Sequence, residues 1–423
     1  MPPARGQIRM AVGSLAKLID TPPGLAQSTN QKQQPAWLRC SFVMALGLFS
    51  ILNVGMALYL PPLTVDPLAL PASPSFDYHR ANSYRNEWHT FRQAPDIVLM
   101  GSSLMMIPQA AAEADYLNRA VDPVVNPYST LLRDEINKLR PQSKPICFNF
   151  ALPGGMISDH YMIVKTLFTK NSSPKVAVLG ITLRDFIDNG VESAACTPAF
   201  AYLSRFLPAD QKDRIMLMAM PQVTQRGEYY LNKYSYLYGN RLAAQVLIKQ
   251  LTTKLASRYF PEGSDTATTE NTAENIAFDP EALFKGLEVL PGAFFIQPKS
   301  TLLFRDNTRE YKKRFRGPHT ALFENQILFL KLTIAELKER KTQVLIVNMP
   351  LTEANRKLMP KGSYEKYVSF INSLKKENDV SVLDLNNGSF EQSDFMDTAH
   401  MNSRGGKKLL SSLAEEISKL PAL

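Results

Sequence analysis

Cysteine is nearly missing from this chain: Cys40, Cys147 and Cys196 are the three in 423 residues. Three cysteines cannot build a disulfide framework, and without a Cys-x-x-Cys pair there is no spacing for a structural zinc site. A single Cys147–Cys196 bond stays open as an alternative. Histidine is also scarce, with five residues, so chemistry that needs an imidazole has few candidates. Dense runs of one charge are rarer still. The formal net charge of +9 points to nucleic acid until it is located. Arg5, Arg9, Lys17, Lys32 and Arg39 against Asp20 give 5 − 1 = +4 before residue 40, which leaves 9 − 4 = +5 for the rest of the chain. The densest basic run, Lys312-Lys313-Arg314-Phe315-Arg316, reads as a solvated face, so no nucleic-acid partner is expected.

Between Cys40 and Leu60 charge is absent altogether, over 21 residues. At about 1.5 Å per residue that length matches a hydrocarbon layer of roughly 30 Å. Trp37 and Arg39 stand at its start and Tyr59 at its end, as interfacial anchors do. We therefore expect a transmembrane helix over 37–60, with a cleaved signal peptide or a buried core helix as alternatives. Basic residues precede the run, and Asp66 and Asp77 follow it. The positive-inside rule then keeps the N-terminus in the cytoplasm and sends the main domain outside, to the periplasm or cell surface. Residues 1–36, rich in Pro, Gln, Ser and Gly, read as a disordered tail, and the proline-rich stretch 61–83 reads as a stiff spacer.

From residue 84 onward five short, β-branched-rich runs are each bounded by turn residues: 96–101 (DIVLMG), 145–150 (PICFNF), 176–181 (VAVLGI), 342–348 (TQVLIVN) and 380–385 (VSVLDL). Such runs read as buried parallel strands. Amphipathic segments near 127–140, 157–170, 320–340, 363–377 and 404–420 alternate with them. In one of these, Phe323, Ile327, Leu330, Ile334 and Leu337 recur at helical spacing, which marks a core face. Alternation of this kind predicts an α/β fold, a doubly wound five-stranded parallel sheet. About 186–318 is too long for a crossover and reads as an insertion between the third and fourth strands. Its first part, to 260, is expected to be mostly helical and holds Tyr229, Tyr230, Tyr234, Tyr236 and Tyr238, whose expected role is packing against the α/β body, with a groove for sugars as the alternative. Its centre, Gly263 to Asn275, is polar and of low complexity.

In open α/β sheets ligands gather beyond the C-terminal ends of strands. The first strand runs into Gly101-Ser102-Ser103-Leu104, a turn that exposes a hydroxyl beside free backbone N–H groups. Met105 breaks the Gly-x-Ser-x-Gly pattern of an ordinary α/β-hydrolase. After the second strand, Asn149-Phe150-Ala151-Leu152-Pro153-Gly154-Gly155 offers Gly154 as a second oxyanion donor. The third strand leads into Thr182-Leu183-Arg184-Asp185, a charge pair at the cleft. A serine nucleophile needs a base. His79 and His89 adjoin the spacer, His160 directly follows Asp159 and diverges from it on a helix, and His319 has no nearby acid. Asp397-x-x-His400 places a carboxylate where it can orient the imidazole. A metal site on that pair would lack further ligands at suitable spacing.

These blocks, Gly101-Ser102-Ser103-Leu104, Asn149-x-Ala151-x-x-Gly154 and Asp397-x-x-His400, resemble the first, second and last motifs of the SGNH (GDSL-like) hydrolase superfamily. The resemblance spans roughly 90–186 and 340–420. It implies a flavodoxin-like three-layer fold, with Ser103 as nucleophile, His400 as base and Asp397 as its orienter. The N–H groups of Ser103 and Gly154 would form the oxyanion hole. Two positions depart from the pattern. Ser102 stands where many members carry Asp, and Thr182-Leu183-Arg184-Asp185 replaces the Gly-x-Asn-Asp block, so Thr182 or Arg184 is the expected substitute for its oxyanion-binding Asn. The anchor, the Gly-Ser-Ser turn and the ending Asp397-x-x-His400-x-Asn402-x-x-Gly405 look most like the D-alanyl transfer protein of teichoic acid modification and the alginate O-acetyltransferase-like proteins. The resemblance thus implies acyl transfer or ester hydrolysis on a cell-envelope glycan or lipid, with a membrane-bound acyl-donor protein as a partner and no cofactor. Ser102, Asn149, Asp185 and Asn402 would support the site, Asn402 either bracing the His400 loop or capping the last helix. The rival reading is a non-catalytic assembly or glycan-binding protein on a decayed SGNH scaffold.

Overall fold

The computed structural model describes residues 36–61, 76–123, 126–169, 172–259, 289–290, 293–317, 320–376 and 380–422. The expected disordered tail, most of the proline-rich spacer, the polar stretch Gly263–Asn275 and His319 lie outside the described residues. The chain divides into two units, Met1–Pro62 and Leu63–Leu423.

In the first unit the charge-free run, apart from its last residue Leu60, falls within one helix, α1 (Ala36–Tyr59). The described side chains of α1 begin at Val43, three residues into that run. Among the described residues no helix is long and apolar enough to cross a membrane. Most of the described residues of α1 are nevertheless open, with Val43 65%, Met44 73% and Leu58 75% exposed, while Asn53 is buried.

The second unit is built on a five-stranded, all-parallel sheet. Its strands are β1 (Ile97–Met100), β2 (Cys147–Asn149), β3 (Val176–Ile181), β6 (Gln343–Asn348) and β7 (Val380–Asp384), in the spatial order β2-β1-β3-β6-β7. A separate two-stranded hairpin, β4 (Val289–Leu290) with β5 (Ala293–Phe294), lies in the insertion. Residues alternate between the faces of the sheet, as a parallel sheet covered on both sides requires. Ile97, Leu99, Val176 and Val178 point to α3 (Ser103–Leu117), α4 (Thr130–Leu139) and the C-terminal helix Ser403–Ser418. Val98, Met100, Ala177 and Leu179 point to α2 (Phe76–Thr90), α5 (Ile157–Leu167) and the helices Thr320–Glu339 and Lys361–Leu374. The chain passes from β1 to β2 on one side and then crosses to β3 on the other, so the switch point where α/β folds bind ligands lies between β1 and β3.

Residues 76–83, expected as spacer, are helical instead. They open α2, whose Tyr84 and Trp88 are 1% and 2% exposed among Phe148, Phe150 and Phe168. Arg80 donates from Nε to the Ala151 carbonyl at 2.8 Å, so α2 also steadies the turn beyond β2. The proline-rich composition ends at residue 74, and beyond it Ala81, Tyr84, Trp88 and Phe91 recur at 3, 4 and 3, the spacing of a buried helix face. Cys147 is buried and Cys196 exposed, and both are free thiols.

Candidate active site

Only Gly101 and Ser102 separate β1 from α3, which leaves Ser103 at the first position of that helix. Ser102 is extended (φ −93°, ψ −165°), and its carbonyl accepts from the Met105 and Met106 N–H groups at 3.0 and 3.2 Å. The Ser103 N–H, ahead of the first intrahelical bond, donates to no protein group among the described residues. A helix N-terminus leaves such donors free for an anion.

The partner arrives from the far edge of the sheet. The loop after β7 runs back toward β1, and the helix following it, Ser403–Ser418, packs on α3. Asp397 folds this loop on itself: its Oδ1 accepts from the N–H groups of both Ala399 and His400 at 2.7 Å. The Met396 N–H closes the turn on the His400 carbonyl at 2.9 Å. Asp397 Oδ2 is then left to face the ring, 2.7 Å from His400 Nδ1. On the other side of the ring, Nε2 lies 2.8 Å from Ser103 Oγ. The tautomer that fits carries its proton on Nδ1, donating to Asp397, and accepts the Ser103 hydroxyl proton at Nε2. Ser103, Asp397 and His400 are 7%, 4% and 1% exposed, so this relay works in a medium where charge interactions are strong.

Asn402 fills both of its expected roles. Its Oδ1 accepts from the Arg404 and Gly405 N–H groups at 2.9 and 3.1 Å, capping the helix, while Nδ2 donates to the Ser393 carbonyl at 2.8 Å, tying down the loop. The returning end of the insertion adds supports that sequence reasoning missed. Asn307 Oδ1 accepts from the Thr398 N–H at 3.0 Å and from its hydroxyl, and the Arg305 N–H donates to the Met396 carbonyl at 2.7 Å. Nothing in the spacing of residues 305–307 signals that they return to the histidine loop.

Gly154 sits at φ +65°, a left-handed conformation in which its N–H finds no protein partner among the described residues. A side chain there would be strained. Asn149 supports this turn: Oδ1 accepts from the Ala151 N–H at 2.8 Å and Nδ2 donates to Gln109 Oε1 at 3.0 Å. The Leu152 N–H donates to the Gly101 carbonyl at 2.9 Å, so the turn is docked two residues from Ser103.

Thr182 and Arg184, expected as substitutes for the absent Asn, have other work. The Thr182 N–H and hydroxyl both donate to Asp185 Oδ2, at 2.8 and 3.3 Å. Arg184 Nη1 donates to the Gly155 carbonyl (2.9 Å) and Asp185 Oδ1 (3.3 Å), and Nη2 donates to the Gly154 carbonyl (3.0 Å) and stands 2.9 Å from Asp188 Oδ2 as an ion pair. Burial pushes the Asp185 carboxyl up, against the pull of Arg184, the Thr182 N–H and Ser102. The Ser102 hydroxyl, buried and without a fully formed hydrogen bond, faces that carboxylate.

Residues 302–421 match the model of one family, an uncharacterised one. No curated protein matches the chain. The matched range takes in Asn307, Asp397 and His400 and stops well short of Ser103, so it bears on one half of the relay.

The other described histidine in the core stands apart. His160 is 1% exposed, and neither ring nitrogen has a well-formed hydrogen bond. Burial lowers its pKa to about 4, only partly offset by the Gly101 carbonyl beside it. Its neighbour Asp159, buried and accepting from the Thr197 hydroxyl at 2.5 Å, is raised by burial to about 6. The two act on stability in opposite senses. The unfolded histidine takes its proton near 6.5 and the folded one near 4, so His160 removes stability as pH falls through that window. The folded carboxyl keeps its proton up to about 6 against 3.8 unfolded, so Asp159 removes stability as pH rises. Between pH 7 and pH 5 the first effect is about 2 kcal/mol and the second about 1 kcal/mol, and they largely cancel. Relative to the wild type, Asp159→Asn is expected to lose about 1 kcal/mol over that step and His160→Gln to gain about 2 kcal/mol. Urea unfolding of the three proteins at both pH values measures this, and identical pH steps in all three would exclude it.

Proposed function

We propose that the chain is a membrane-anchored, extracytoplasmic SGNH-like serine acyltransferase or esterase that acts on a cell-envelope glycan or lipid. One observation carries the reading: Ser103 Oγ, the His400 ring and Asp397 stand in a single buried hydrogen-bonded line of 2.8 and 2.7 Å. As Ser103 Oγ attacks an acyl carbonyl, His400 Nε2 takes its proton, and the Asp397 carboxylate stabilises the imidazolium. The carbonyl oxygen, now an oxyanion, is stabilised by the free N–H groups of Ser103 and Gly154. Collapse expels the leaving group with the proton from His400 and leaves the acyl group on Ser103. A second hydroxyl, from glycan, lipid or water, then gives its proton to His400 and takes the acyl group. Loss of one oxyanion donor costs about 10²–10³ in rate, so chemistry survives the absent Asn.

The rival, a non-catalytic protein on a decayed scaffold, has no need of a nucleophile and base in direct contact. The anchored part of the reading is supported by the charge-free run in α1 and by the openness of Val43, Met44 and Leu58. The acceptor class rests on the motif resemblance, which lies closest to envelope-modifying proteins.

A fluorophosphonate probe applied to cells expressing the full chain tests both parts. Ser103 Oγ displaces fluoride at phosphorus, so a labelled band is expected in the sedimented membranes, and none with Ser103→Ala. A band that persists in Ser103→Ala removes Ser103 as nucleophile; a band confined to the soluble fraction removes the anchor.

A further inference from the structure

The loop beyond β2 presents one unusual feature, a glycine pair whose two carbonyls are taken up by one guanidinium. Arg184 Nη2 holds the Gly154 carbonyl at 3.0 Å and Nη1 the Gly155 carbonyl at 2.9 Å. The Gly155 N–H donates to the Leu152 carbonyl at 3.0 Å. The peptide between the two glycines is therefore pinned at its oxygen and at its nitrogen. Gly154, free by itself to take either sign of φ, is left at +65° with its N–H as the loop's unengaged donor.

Arg184 is in turn held from behind. Asp185 and Asp188, 1% exposed each, carry its charge, and burial alone would push the guanidinium pKa down where these carboxylates raise it. Burial also opposes ionisation of Asp188, but Arg184 and Arg314 outweigh it and hold its carboxyl below the usual range. Arg314 reaches Asp188 from the helix Thr308–Arg314 of the insertion, 2.8 Å away, and its other nitrogen is fixed by Glu310 at 2.8 Å. A chain of alternating charges, from partly exposed Glu310 and Arg314 to buried Asp188 and Arg184, thus runs from the insertion to the carbonyls of Gly154 and Gly155. A buried ion chain is costly to assemble and adds little net stability, whereas it fixes geometry.

We propose that Arg184 is a positioning residue for acyl transfer: by gripping the Gly154 and Gly155 carbonyls it fixes the Gly154 N–H as an oxyanion donor, and Arg314 ties that grip to the insertion. The role that the superfamily pattern gives to a contacting Asn is here taken indirectly, by a residue that orders the backbone donor and touches no substrate. The proposal rests on Ser103 as nucleophile, yet its physical core, the clamp, is measurable without activity.

The test uses the full chain in detergent, with Arg184→Met and Arg184→Lys, and two readouts. In hydrogen exchange read by mass spectrometry, the segment 150–156 is expected to exchange at least about tenfold faster in Arg184→Met, while segments of β1 and β3 keep their protection. With p-nitrophenyl acetate as the probe ester, Arg184→Met is expected to lose about 10²–10³ in kcat, the cost of one oxyanion donor, with KM and the pH midpoint of the rate unchanged. Arg184→Lys keeps the charge and one of the two bonds and is expected to recover part of both. Unchanged exchange at 150–156 overturns the clamp, whatever the activity. A loosened loop with wild-type kcat overturns the positioning role. Should Arg184→Met fail to fold, Arg184→Lys decides by the same readouts: wild-type values in both overturn the proposal. A wild-type protein that does not turn over the ester removes the reading of Ser103, and the exchange result still decides the clamp.

Discussion

Asp397→Asn is expected to lower ester turnover by about 10⁴, with the fold intact and Ser103 still in contact with the His400 ring. The size of the effect follows from the way the carboxylate is held. Its Oδ1 accepts two backbone N–H bonds, from Ala399 and His400, so in the amide that position must remain an oxygen. The NH₂ group is forced into the place of Oδ2, facing His400 Nδ1. A donor there turns Nδ1 into an acceptor, moves the ring proton to Nε2, and leaves the nitrogen beside Ser103 unable to take a proton. An exposed Asp–His pair would simply rotate the amide; this one cannot. Steady-state hydrolysis of p-nitrophenyl acetate, with circular dichroism as the check on folding, measures the outcome. A loss below about tenfold in a folded variant would mean that His400 does not act as a base through this relay.

The sequence made half of this relay visible because both Asp397 and His400 lie in one short motif, and the chemistry of a base needs both. Ser103 was visible through its place at a strand end. Elimination among the histidines pairs Ser103 with His400, but the path that brings them together is not legible, because strand order in space is not written in strand order along the chain. The histidine loop follows an edge strand, β7, and crosses back toward β1. The helices read by periodicity were those with one wet face, such as Thr320–Glu339 and Ser403–Ser418. Helix α3 is not among the amphipathic segments because it is buried from Ser103 to Ala114, leaving no polar face to set a period. Arg184 was noticed as a charge in the right place, but whether a guanidinium meets a ligand or a carbonyl is a matter of a few ångströms, which spacing does not encode. The insertion tyrosines were expected to pack against the α/β body, but Tyr230 and Tyr234 are 40% and 66% exposed and stack on each other along one helix with centroids 6.0 Å apart, while Tyr229 donates to Asp213 at 2.6 Å.

Gly406→Ala is expected to destabilise the protein by at least about 2 kcal/mol and to cost the folded fraction about 10² in turnover. Gly406 lies in the first turn of the C-terminal helix, where that helix crosses α3, and a Cβ there would overlap the Pro108 carbonyl oxygen, with the Pro108 carbonyl carbon at 2.7 Å. The obstacle is backbone, so no side-chain rotation relieves it; the two helices must part. One carries Ser103 at its N-terminus, and the other begins three residues after His400, so parting them lengthens the contact on which proton transfer depends. Ala is the better helix former by about 1 kcal/mol, which is why the net loss is smaller than the clash. Gly227→Ala supplies the contrast. Gly227 lies inside the helix Val223–Tyr234, and a Cβ there meets nothing within 4 Å, so the same change should stabilise by up to about 1 kcal/mol without touching turnover. Urea unfolding of both variants beside the wild type separates the two effects. If Gly406→Ala proves as stable as the wild type, the close crossing of α3 and the C-terminal helix is not what sets the distance between serine and base.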